Sequence, residues 1–164
     1  MKIEKLLKDK HALEKAYNRF IKKKPIITRS SDISPAHIAK SDSNLEFVNF
    51  LIESQKFIDW QIVGLYYSIY HASLALLSKK GYSSKDHNAT LCFLIKNFSE
   101  FTNEEIKLID DLQIKREEIE FYSGLKEERR KASYSTTLLF DKDKVAELRE
   151  KTILLINKIK SILG

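Results

Sequence analysis

Two stretches of this chain place chemically able side chains where a plain core would not need them. In "GLYYSIYHASLALLSKKG", Gly64 to Gly81, three tyrosines (Tyr66, Tyr67, Tyr70) and His71 interrupt an otherwise apolar run. Imidazole changes charge near neutral pH, which makes His71 a candidate acid or base. Tyrosine rings supply apolar contact area, and their buried hydroxyls need partners. In "LQIKREEIEFYSG", Arg116 keeps helical step with Ile109, Leu112 and Ile119, so it lies on the stripe expected to face the core. A buried guanidinium without a partner is costly. Two readings of Arg116 stand side by side: a structural ion pair with an acid on another helix, or a positive charge at the floor of a cleft that binds phosphate. His71 has the same choice between a hydrogen-bonded core residue and a catalytic one. Lys85 and His87, after the long apolar run, are further candidates.

Other chemistries leave no trace. The chain has no glycine-rich phosphate loop, no paired-cysteine zinc site, no HExxH and no GxSxG. No metal or cofactor is expected. The single cysteine, Cys92, cannot form an internal disulfide, and its apolar neighbours Leu91, Phe93 and Leu94 suit an inert core thiol in a reducing cytoplasm.

The elements that position these residues read as helices. Four Gly and two Pro in 164 residues demand few turns, and no long window alternates as a strand would. A first helix is expected from Met1 to about Lys23, stopped by Pro25, with "PIITRSSDIS" as a linker. A second starts at "SPAHIAK", with Ser34 as cap and Pro35 at the first helical position, and runs to about Ser54. After a break at "QKFID", Asp59 is the expected cap of a third helix ending at Lys80, with Gly81 as its stop. Asp86 can cap a short fourth helix. "TNEE" at 102–105 is a capping box that opens a fifth from about Asn103 to Tyr122, with Gly124 interrupting it. "LKEERRKASYSTTLLF" reads as helical at first and irregular around "SYSTT". Asp141 or Asp143 can cap the last helix. The expected fold is an all-α, up-and-down bundle of about six helices: residues 1–34 form an added basic N-terminal helix and linker, and residues 35–164 the bundle.

Charge is uneven. Residues 1–24 hold nine Lys/Arg against three Asp/Glu, while the whole chain carries +6, so the rest balances. The basic segment is either a solvated helix face or an RNA contact. Trp60 to Ser78 carries no formal charge over 19 residues. Its Gln, His, Tyr and Ser content favours a buried central helix over a membrane span. The N-terminus lacks the uncharged core of a signal peptide, and a cytoplasmic location is expected.

The order "YYSIYHASLALLSKKGY", "DHNATL", "KREEIEFY" and a final amphipathic helix resembles the HEPN superfamily over about residues 35–163. Tyr66, Tyr67, Tyr70, His71, Ala72, Ala75, Leu76, Leu77 and Gly81 fit its tyrosine-rich helix. His87 fits a histidine after the glycine, and Arg116, Glu120 and Phe121 an arginine–acid–aromatic segment. The resemblance implies a helical bundle that forms a homodimer and binds RNA or a nucleotide. In its toxin–antitoxin branch it implies a metal-independent endoribonuclease partnered by a nucleotidyltransferase-like antitoxin. That branch places a His shortly after the Arg on one helix. Here "EEIEFYSG" follows Arg116, and His71 would fill the vacancy from a neighbouring helix. On this reading Arg116 binds the scissile phosphate and His71 moves protons as the RNA 2′-OH attacks, with Tyr67, Tyr70, Lys85, His87 and Glu120 contacting substrate. The alternative is a dimeric helical module that binds a nucleotide or a protein without turnover.

Overall fold

The computed structural model describes residues 3–55, 57–128 and 141–164, the stretch 120–128 by its backbone alone. Among them the order is α1 (Ile3–Lys8), α2 (Lys10–Lys22), β1 (Ile26–Thr28), α3 (Ser34–Glu53), α4 (Ile58–Lys79), β2 (Tyr82–Ser84), α5 (His87–Asn97), α6 (Asn103–Glu128) and α7 (Lys142–Leu163). The protein is an all-α bundle, with one minimal sheet among the described residues. The expected irregularity around "SYSTT" lies outside the described residues.

α4 is the central rod. Ile62, Leu65, Ile69, Ala72, Ala75 and Leu77 are buried along its whole length. It packs against α3, α6 and α7, which is why it is apolar nearly all round. No helix among the described residues is long and apolar enough to cross a membrane. α3 and α4 run antiparallel and very close. A Cβ built on Gly64 would fall 2.5 Å from Val48 Cγ2, so only glycine permits this approach. One turn on, Ser68 Oγ donates to the Ser41 carbonyl at 2.8 Å and meets Ser41 Oγ at 3.1 Å.

Several local signals act as their chemistry requires. Asp86 Oδ1 accepts the Ala89 N–H at 2.7 Å. Thr102 and Glu105 form the reciprocal box, with the Glu105 N–H on Thr102 Oγ1 at 3.2 Å and the Thr102 N–H on Glu105 Oε2 at 2.7 Å. Asp141, rather than Asp143, caps α7 through the Lys144 N–H at 2.8 Å. Gly81 ends α4 at φ 79°, a left-handed turn.

Other expectations need correction. The first segment is two helices, because Asp9 breaks it and caps α2 by accepting the Ala12 N–H. The stretch expected as a linker carries β1, which pairs antiparallel with β2, Ile26 opposite Ser84. Ser34 is not a cap: it is the first residue of α3, and its N–H is taken by Asp32 Oδ1 at 2.8 Å. Asp59 does not cap α4 either. The cap position is Phe57, in the left-handed region at φ 54°, and Asp59 Oδ1 is buried without a hydrogen bond. α6 runs through Gly124 to Glu128, because one internal glycine costs a helix only about 1 kcal/mol. The N-terminal helices share the main core through Ile3, Leu6 and Phe20, and Tyr17 packs on Phe93 of α5.

Candidate functional site

Helical geometry separates the polar residues of α4 into two faces. At about 100° per residue, Gly64, Ser68, His71, Ala75 and Ser78 share one stripe, and contacts place it against α3. Tyr66 and Tyr70 lie on the opposite side, toward α5 and α6.

The second face holds a cluster drawn from three helices. Tyr66 is its centre. Its ring stacks on Tyr70 (centroids 5.6 Å, 15° apart) and meets Tyr67 edge-on at 5.1 Å. The Arg116 guanidinium sits over the Tyr66 ring at 4.8 Å and near the Tyr67 ring at 5.8 Å, a cation–π arrangement in a largely dry setting. Arg116 Nη1 donates a long hydrogen bond to Tyr67 Oη at 3.4 Å, and Nη2 lies 3.6 Å from Glu117 Oε1. The Arg116 side chain is 16% exposed, whereas Glu117 is 62% exposed. That ion pair is therefore well screened on the acid side. Gln113 Nε2 also donates to Glu117. Burial raises the Tyr66 hydroxyl pKa well above its ordinary value, neighbouring Tyr70 adds to this, and Arg116 opposes it. Tyr70 is raised for the same first reason. Both hydroxyls are neutral donors at pH 7.

His87 completes the cluster from α5. It is the first residue of that helix rather than part of the preceding loop, held there by the Asp86 cap. Its ring lies 5.8 Å from Tyr66 and 6.4 Å from Tyr70. Its Nε2 is 3.6 Å from Asp110 Oδ1, beyond hydrogen-bond reach, and its side chain is 8% exposed. Neither ring nitrogen has a hydrogen bond. Buried polar atoms are almost always satisfied, so an imidazole with both nitrogens unanswered calls for an explanation.

The structure thus brings Arg116, Tyr67, Tyr70 and His87 together, and it adds Asp110. Sequence reasoning missed Asp110. The available signal was its place one turn after Ile106 and beside Ile109, at the edge of the buried stripe of α6. Among the described residues no hydrogen bond or ring contact joins His71 to Arg116. His71 faces α3, where its Nδ1 is 3.2 Å from Nδ1 of His37, a residue sequence reasoning passed over. Lys85 is exposed in the turn before α5. The Glu120 side chain lies outside the described residues, as do those of Phe121 and the "KEERRK" run.

Cys92 is buried, and burial pushes its thiol pKa up to about 11. It is a packing residue. Among the described residues no three His, Cys, Asp or Glu side chains gather as metal ligands. Compared with known proteins, the chain matches no protein-family model and no curated protein.

Proposed function

We propose that the Arg116–tyrosine–His87 cluster is an RNA- or nucleotide-binding site in a HEPN-like bundle. The observation that carries this reading is the convergence of a guanidinium, three tyrosines and an unsatisfied imidazole from α4, α5 and α6. Arg116 is the phosphate anchor. The partly exposed rings of Tyr67 and Tyr70 give a base a face to stack on. Within this reading the proton-transfer role passes from His71 to His87, whose Nε2 has the Asp110 carboxylate 3.6 Å away. A metal-independent endoribonuclease, a homodimeric state and a nucleotidyltransferase-like antitoxin partner belong to the same reading and rest on the sequence resemblance.

Fluorescence anisotropy with a labelled single-stranded RNA tests the binding. Arg116→Ala should weaken it at least tenfold, about 1.4 kcal/mol, and Arg116→Lys should recover only part. Affinity should fall steeply with salt. Unchanged affinity in Arg116→Ala would remove the proposal. The same RNA, incubated with the protein and EDTA, tests catalysis: cleavage lost in both Arg116→Ala and His87→Leu supports the ribonuclease. Binding without cleavage selects the second reading, a non-catalytic module, which the deep burial of His87 favours.

A further inference from the structure

His37 on α3 and His71 on α4 meet head on. Their Nδ1 atoms are 3.2 Å apart and their ring centroids 5.5 Å apart. The difference between these distances is about one ring radius at each end, so the two nitrogens point at one another. A hydrogen bond between like nitrogens needs a single proton between them. One ring donates Nδ1–H and the other accepts with its Nδ1 lone pair.

That arrangement counts protons. A first added proton goes to Nε2 of the donor ring. The bond then becomes a charge-assisted one from an imidazolium to a neutral imidazole and is kept. A second must occupy the accepting Nδ1. Two N–H groups and two positive charges then confront each other, and the bond is lost.

The surroundings give no relief. Arg29, just beyond β1, acts on His37, and Lys40, one helical turn after His37, acts on His71. The acids flanking this stretch of α3 in sequence are engaged elsewhere. Asp42 on α3 pairs with Lys160 of α7 at 2.6 Å, and Asp32 accepts from the Ser34 N–H and the Ser78 hydroxyl. From α4 itself the neighbour is the Tyr70 ring, 6.3 Å away and edge-on.

We propose that His37 and His71 form a proton-controlled latch between α3 and α4, closed with no more than one added proton and released by the second. Because α4 also carries Tyr66, Tyr67 and Tyr70, acid release would loosen the helix that presents the tyrosine cluster. Both imidazoles sit below their usual pKa of 6.5. Burial is the first cause for each, followed by Arg29 for His37 and by His37 and Lys40 for His71. The sign follows from linkage. Below 6.5 the unfolded chain takes up protons that the folded pair resists, so this stabilisation is whole above 6.5 and is lost as pH falls through the folded values.

Thermal denaturation of the full chain from pH 8 to pH 5 tests the latch in wild type, His37→Asn, His71→Asn and the double variant. Asparagine hydrogen-bonds but does not titrate. The expected result is a wild-type Tm that falls by several degrees more than that of the double variant, with all the excess below pH 6.5. A double variant that loses as much Tm as wild type overturns the proposal. Should a variant fail to fold, imidazole NMR titration of the wild type decides. Two coupled steps separated by more than about one pH unit support the latch, and two independent titrations near 6.5 overturn it.

Discussion

The two faces of α4 treat their polar atoms in opposite ways. On the α3 side His71 is answered by His37 through Nδ1, Ser68 by Ser41, and Ser78 by Asp32 and the Ile33 N–H. On the α5–α6 side Arg116 donates to Tyr67 and pairs with Glu117, but the buried His87 has neither ring nitrogen hydrogen-bonded. The first face uses polarity to set the register of two helices. The second leaves one buried imidazole unanswered, which is costly in a structure that does nothing else with it. Burial alone does not separate the two, since each face mixes buried and partly exposed residues. Satisfaction of the polar atoms does.

The strongest way to break this comparison is to attack the close approach on the α3 side. Gly64→Ala places a methyl 2.5 Å from the buried Val48 Cγ2. A loss of about 1–3 kcal/mol is expected, from overpacking in a site with no room. Chemical denaturation measures it, and Val48→Ala in the same chain should return part of the loss. A Gly64→Ala variant as stable as wild type would mean that the helices separate freely and that the seam is not the rigid side.

A matched pair of substitutions sharpens the contrast. His71→Leu strands His37 Nδ1, half-buried, without its partner, and should cost about 1 kcal/mol or somewhat more. His87→Leu deletes two unsatisfied nitrogens and should leave stability unchanged or slightly raised, while RNA binding or cleavage falls. The reverse order of stabilities would make His87 the structural histidine and His71 the candidate for chemistry.

How much of this was legible in sequence depended on range. The Asp86 cap, the Thr102–Glu105 box and the Gly81 stop are written within four residues of their partners, and all three stand in the structure. Asp9 is equally local, yet the unbroken lysine-rich helical spacing around it masked the break. The β1–β2 pairing joins segments more than fifty positions apart, and three-residue strands leave no alternation to detect. The tyrosines and Arg116 were legible as anomalies. The choice of which histidine joins them was not, because it depends on which side of α4 faces which helix. A sequence signal did exist. Gly64, Ser68, Ala75 and Ser78 form a small-residue stripe with His71 in line, and such a stripe marks a close helix contact rather than a cleft.

The smallest expected effect lies within that stripe and separates a backbone bond from a side-chain one. Ser68 Oγ donates to the Ser41 carbonyl at 2.8 Å, and the two hydroxyls are 3.1 Å apart. Ser68→Ala removes the donor to the carbonyl and strands the buried Ser41 hydroxyl, for a loss of about 1 kcal/mol. Ser41→Ala leaves the carbonyl bond in place and should cost less, about 0.5 kcal/mol. Equal losses would show that the hydroxyl–hydroxyl contact carries the register. A negligible loss in both would show that the α3 face is held by packing around Gly64 alone, and its polar atoms would then be tolerated rather than used.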